Sequence, residues 1–219
     1  MKNEVKFCEH IGLFTINRPR TSCVHATDYC LKHCYCAKFE KLYARHMEGV
    51  GAREEAYWKS LDGVKLRKDL QLKRKPIGRI RLMSRGEAIT SKREILRVRD
   101  LCQWNPWTLF MLPTKAWRNG ALLGHMLTEF NGLENLRLLF STDPDSFEDC
   151  VKVVTGSAHL LKRVSITYFG QDEDWSAHAD AHLCPKTWYP KSGITCATCQ
   201  DGCFREDIGK LKLIHFKKH

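Results

Sequence analysis

With 219 residues, 43% of them hydrophobic and 28% charged, the chain has enough apolar side chains for a core, which excludes an intrinsically disordered protein. The formal net charge of +11 favours anionic partners, and no apolar run reaches the roughly 18 residues of a membrane span. The amino terminus, MKNEVKFCEH, has no apolar stretch of the kind a secretory signal needs, so the expected location is the cytoplasm. There thiols stay reduced, and clustered cysteines bind metal more readily than they pair; the count of eleven is odd, which also argues against full pairing.

The first predicted element, GLFTI (12–16), is a strand, and it leads into CVHATDYCLKHCYCA (23–37). This stretch holds Cys23, Cys30, Cys34 and Cys36, with His25 and His33 among them. Residues 30–75 read as helical and polar, longer than one crossover requires. The end of that region overlaps a basic run, KLRKDLQLKRKPIGRIRLMSR (65–85), which suits either a nucleic-acid phosphate backbone or a solvated helix face and loop. RIRLM (79–83) is the second strand, followed by SRGEAIT, in which Gly86 permits close backbone approach and Glu87 offers a carboxylate. A helix is predicted over 90–104, opened by Thr90 or Ser91 as N-cap, with Glu94 at capping-box spacing from Ser91.

WTLFML (107–112) is the third strand and ends in PTK; after a helical stretch over 119–132, LRLLF (136–140) is the fourth and ends in STD. VSITYF (164–169) and KLIHF (212–216) complete a set of six. Most are nearly continuous apolar runs, the pattern of parallel strands buried on both faces. Alternation with helices gives an α/β protein, and six strands give a partial (β/α)6-type parallel barrel, one domain over 1–219. Lys115, Ser141 and Asp143 are expected to converge with the first cysteine group at the carboxyl ends of the strands, where the loops of such folds build sites. Cys8, Cys102 and Cys150 stand alone, and core packing is the default for them.

Residues 170–208 carry no strand signal and many turn formers, and so long an irregular segment needs an organiser. Cys184, Cys196, Cys199 and Cys203, spaced C-x11-C-x2-C-x3-C, supply one, preceded by His178 and His182 at helical i, i+4 spacing. Two sets of four thiols match two four-thiolate sites, and both tetrahedral zinc and a [4Fe-4S] cluster accept four thiolates. Only one C-x2-C knuckle is present, and three close cysteines on one loop suit a cubane.

Cys30 and Cys34 after the first strand, with Gly86 and Glu87 after the second, resemble the radical S-adenosylmethionine (SAM) superfamily. Two positions depart from its pattern: Ala37 stands where the third cysteine should fall, with Cys36 one residue early, and Arg85 replaces a glycine. That resemblance implies a [4Fe-4S] cluster, SAM as a second cofactor, and cofactor contacts at Gly86 and Glu87. A second resemblance spans nearly the whole chain and is to the bacteriophage gene product 88 family. It rests on Cys23, Cys30, Cys34 and Tyr35, on Cys184 with Pro185, Cys196, Cys199 and Cys203, and on RLMSRGEAIT. It implies an iron–sulfur protein of the infected host's cytoplasm, with one or two clusters and a redox partner, and hands over no reaction.

Three functions follow. A radical-SAM-like enzyme needs one iron without a protein ligand; a closed cluster serves electron transfer, sensing or structure; and a zinc- or cluster-stabilised nucleic-acid-binding protein needs no catalysis at all. Cys30 and Cys34 are ligands in any cluster reading, Cys23 joins them, and Cys36 decides between an open and a closed centre.

Overall fold

The computed structural model describes residues 4–9, 11–73, 77–157, 163–170, 182–199, 203–204 and 213–217. All six strand-like runs lie in one eight-stranded sheet of order β1-β2-β3-β4-β5-β6-β8-β7. Its strands are β1 (Lys6–Cys8), β2 (Leu13–Ile16), β3 (Arg79–Leu82), β4 (Leu109–Thr114), β5 (Leu136–Thr142), β6 (Val164–Gly170), β7 (His182–Leu183) and β8 (Leu213–Lys217). Only β1 pairs antiparallel; the other neighbours are parallel. The short edge strands β1 and β7 carry no sequence signal of their own, and β7 falls where no strand is predicted. The four helices of residues 28–71 are α1 (Asp28–His33), α2 (Tyr35–Leu42), α3 (Ala44–Ser60) and α4 (Gly63–Gln71). They are followed by α5 (Lys92–Trp104), α6 (Gly120–Glu129), α7 (Phe147–Ser157) and the one-turn α8 (Pro185–Trp188).

Consecutive parallel strands joined through right-handed crossovers send their helices to one face. The larger core lies on that face, where Ile80, Leu82, Phe110, Leu112, Leu138, Phe140 and Ile166 meet Trp58 and Leu66 of α3 and α4 and Ile95, Val98 and Leu101 of α5. Cys102 and Cys150 are fully enclosed in it. The opposite, inner face alternates with this set along each strand. It presents Leu13, Met111 and Leu139, which form a second apolar cluster with Phe204, Cys196 and Cys203. It also presents Arg79, Arg81 and Arg137, so β3 and β5 are not apolar on both faces.

The helix start at α5 matches its expectation in position and differs in detail. Ser91 is the N-cap but its side chain makes no capping bond; instead Glu94 Oε2 accepts Thr90 N–H at 2.7 Å and also the Thr90 hydroxyl. The other Glu94 oxygen is held at 2.8 Å by Arg18, whose guanidinium also grips Glu55 at 2.8 and 2.9 Å and the Glu87 carbonyl at 3.0 Å. This buried arginine ties the loop after β3 to α3 and α5.

Much of 170–208, including His178, lies outside the described residues. The described part crosses the inner face at the amino-terminal ends of the strands. Arg79 Nη1 donates to the Ala197 carbonyl at 3.0 Å, and its guanidinium sits 5.4 Å above the Phe204 ring.

Candidate metal centres

The first cysteine group is built at the carboxyl ends of β2 to β5. A 3-10 turn, Arg20–Ser22, delivers Cys23, and Thr27 then caps α1 by accepting the Cys30 N–H at 3.0 Å. The same hydroxyl donates to Asp143 Oδ2 at 2.5 Å, which also receives Lys115 Nζ at 2.6 Å, while Ser146 holds Oδ1 at 2.8 Å. Tyr29 N–H adds a bond to Asp145 at 2.8 Å. The helix carrying Cys30 is thus moored to the loop after β5 through a buried ion pair. Burial would push the Asp143 carboxyl up, but the Lys115 ammonium and the Thr27 and Ser146 hydroxyls outweigh it and hold it below its ordinary value.

Three of the four thiols share one environment. Burial pushes Cys23 up to about 12, with Glu87, Cys30 and Cys34 adding to the shift. Cys30 is also raised by burial and pulled back by Lys115, with Cys34 among the groups opposing its ionisation. Cys34, the N-cap of α2, goes the other way, down to about 6. It accepts hydrogen bonds from the Cys36 thiol and from the Ala37 and Cys36 amides, and Arg20 stands nearby. Cys36 is buried, and its own ionisation is opposed first by that bond to Cys34. Its chief cationic neighbour is Arg85, which pairs with Glu40 and Glu54. Cys30 and Cys34 thus oppose the ionisation of Cys23, and Cys34 that of Cys30, while Cys36 adjoins this set through its hydrogen bond to Cys34.

Gly86 and Glu87 are where the loop after β3 meets this group, and both are heavily engaged. Gly86 has φ +81, and a Cβ there would stand 2.5 Å from the Arg18 carbonyl. Glu87 is buried; Oε1 accepts Ile89 N–H at 3.0 Å and the Thr114 hydroxyl at 2.8 Å, and Oε2 accepts Lys115 N–H at 2.9 Å. Burial raises its pKa against those bonds. Lys115 and Asp143 meet as the sequence suggests, whereas the Ser141 carbonyl is used by Trp117 Nε1 at 3.1 Å.

The second group gathers on the inner face. Burial pushes the Cys203 thiol up, and Cys184, Cys196 and Cys199 push it further while Arg81 pulls it back. Cys184 is buried and is fixed to β8 through its N–H to the His215 carbonyl at 2.9 Å. Arg81 Nε is buried without a hydrogen-bond partner among the described residues. All eleven cysteines are free thiols. Among the described residues, no three His, Cys, Asp or Glu side chains form a group that could hold a metal ion as placed. Four thiolates on one zinc stand about 4 Å apart, given a Zn–S distance of about 2.3 Å. Cysteines on a cubane each take a separate iron and spread wider. His25 Nε2 and His182 Nε2 are buried without hydrogen-bond partners among the described residues, and His33 packs on Tyr29 at 4.5 Å between ring centroids.

A family model described as Gene product 88 matches residues 9–204. The chain belongs to the Gene product 88 family. No curated protein and no solved structure matches it. The matched span contains both cysteine groups and the strands β2 to β7, so the family is defined over the scaffold and both candidate centres together. In this member of the Gene product 88 family, the sequence did not single out Thr27, Arg18 or Arg81. Thr27 had a local signal, an N-cap residue three positions before Cys30. Arg81 had none, because it is indistinguishable from the rest of the basic run until the sheet turns it inward.

The described residues of that run do not form one surface. Lys65 pairs with Asp69 at 3.2 Å, Lys73 donates to the Val5 carbonyl at 2.8 Å, Arg79 and Arg81 face the inner side, and Arg85 is paired. Arg67 and Lys68 on α4 remain exposed. No helix among the described residues is long and apolar enough to cross a membrane.

Proposed function

We propose that the protein is an iron–sulfur enzyme of radical-SAM type, built on a partial barrel, with a second, closed thiolate centre bracing its inner face. The observation that carries this is the placement of the first group: Cys23, Cys30 and Cys34 lie in or at the ends of the short helical turns that follow β2, and Cys36 lies within α2, hydrogen-bonded to Cys34. Three thiolates at the carboxyl ends of parallel strands fit a [4Fe-4S] cluster with one iron left to bind SAM. When bound, such a cluster supplies one electron to SAM.

The chain's own residues prepare that position. Lys115 and Arg20 offset thiolate charge beside Cys30 and Cys34, and the Cys34 amide neighbours favour its ionised form. The Thr27–Asp143–Lys115 chain fixes α1, and Glu87 clamps the loop after β3 against the end of β4, so the site is held by rigid elements. Glu87 acts here through its position: its carboxylate clamps the loop, and the Arg85, Glu87 and Ala88 backbone groups beside it are bonded to Asn17, Arg18 and Ser22.

Cys184, Cys196, Cys199 and Cys203 fit a closed centre by their donor chemistry and by the unpartnered Arg81 Nε beside them. Four thiolates on zinc, or on a cubane, leave net negative charge, and Arg81 on the inner face complements it. Anaerobic purification followed by iron, sulfide and zinc assays tests both assignments. The reading requires Cys30→Ala to lose cluster iron and Cys36→Ala to keep it. Equal iron loss in both variants would make the first centre a closed four-cysteine one, and iron-free protein that reconstitution cannot load would sink the reading.

A further inference from the structure

At the amino-terminal ends of β3 and β4, an open groove of about 390 Å³ is lined by Arg67, Leu70, Gln71, Lys73, Trp104 and Trp107 among others. Trp107 is 88% exposed and Trp104 48% exposed. Large aromatic side chains are rarely left so open, and an indole held in water beside cations suggests a flat, anionic occupant. The acids closest to α4 are already used: Asp62 accepts Lys65 N–H at 2.7 Å, Asp100 accepts Gly63 N–H at 2.7 Å, and Asp69 is buried against Tyr57 at 2.6 Å. Arg67 and Lys68 are thereby left as exposed cations on the helix that forms one wall.

We infer that this groove binds single-stranded nucleic acid, with bases stacked on Trp107 and Trp104 and phosphates placed at Arg67 and Lys68. Base faces are π surfaces that every nucleotide presents once unstacked, and arginine and lysine follow the backbone between them. A duplex hides those faces within its own stack, so indoles in an open groove select single strands. The first cysteine group lies at the carboxyl ends of the strands, the opposite end from the groove, and no cysteine lines the groove. It also differs from binding along the whole basic run, since Lys73, Arg79 and Arg85 are engaged within the fold.

The test is fluorescence anisotropy of a labelled oligothymidylate of about 15 nucleotides, within the site sizes such grooves cover, with the full chain at low and moderate salt. Binding should quench tryptophan emission and weaken as salt rises. Trp107→Ala should lower affinity roughly five- to a hundredfold, the range for losing one stacked base. Arg67→Ala should make the salt slope shallower by about 0.7, one phosphate's share on a single strand. Trp107→Phe should retain most of the affinity, and thermal melting should show all three variants folded as the parent, because these side chains are exposed. The inference is overturned by no binding at low salt, by Trp107→Ala binding as tightly as the parent, or by a duplex of equal length binding equally well. Vesicles of phosphatidylserine and phosphatidylcholine that capture the protein where the oligonucleotide does not would also overturn it.

Discussion

Replacing Lys115 by Met removes one member of a buried ion pair and leaves the other in place. The side chains of Lys115 and Asp143 are only 11% and 1% exposed, and their charged atoms are 2.6 Å apart. Breaking a pair this enclosed costs about 3–5 kcal/mol, because the surviving carboxylate stays buried without its cation. The Thr27 and Ser146 hydroxyls remain on Asp143, which places the expected loss near the lower end, about 3 kcal/mol. Lys115→Met/Asp143→Asn should be less destabilised than the sum of the single variants, by at least about 1 kcal/mol, since the orphaned charge is gone. Urea unfolding of the four proteins in parallel gives these values. Asp143 titrates below its ordinary value in the folded state, so its contribution is full above the unfolded pKa of about 3.9 and disappears as pH falls through the folded one. The parent should therefore lose more stability between neutral pH and pH 3 than Asp143→Asn does. A single-variant cost under about 1 kcal/mol, or strict additivity, would refute the claim that this pair anchors the first cysteine loop.

Other substitutions probe the rest of the framework. Gly86→Ala places a Cβ against the Arg18 carbonyl at a φ of +81 and should destabilise by roughly 2 kcal/mol or more, read from the unfolding midpoint. Glu87→Gln turns an acceptor of three donors into a group whose NH2 must face one of them, which costs about 1–3 kcal/mol by the same measurement. Arg81→Met should release metal from the C-terminal centre at roughly tenfold lower chelator concentration, while iron at the first centre is retained.

How far the sequence could be read depends on the kind of signal each element carries. The six parallel strands were legible because their apolar runs are bounded by turn formers, and the α5 start because capping chemistry is local. The edge strands β1 and β7 were not, since three and two residues form only through pairing with a neighbour. The inward turn of Arg81 was hidden for a deeper reason. RIRL alternates, and alternation normally places charge outward; here the inner face is covered by a thiol-rich segment, so the arginines stay on that side. The cysteines of both groups stood out by number and spacing. What holds the first four in place did not, because the Cys34–Cys36 hydrogen bond and the mooring of α1 by Asp143, 116 residues away, exist only in the fold.

The central claim is that Cys23, Cys30 and Cys34 hold a cluster whose remaining iron is open. Electron paramagnetic resonance of the anaerobically reconstituted, reduced protein, recorded with and without SAM, tests it most directly. A closed second centre contributes the same signal to both spectra, or none if it holds zinc, so the difference spectrum reports the first centre alone. The account predicts a signal that shifts on adding SAM in the parent and in Cys36→Ala, and that Cys30→Ala lacks. A cluster signal identical with and without SAM would contradict it.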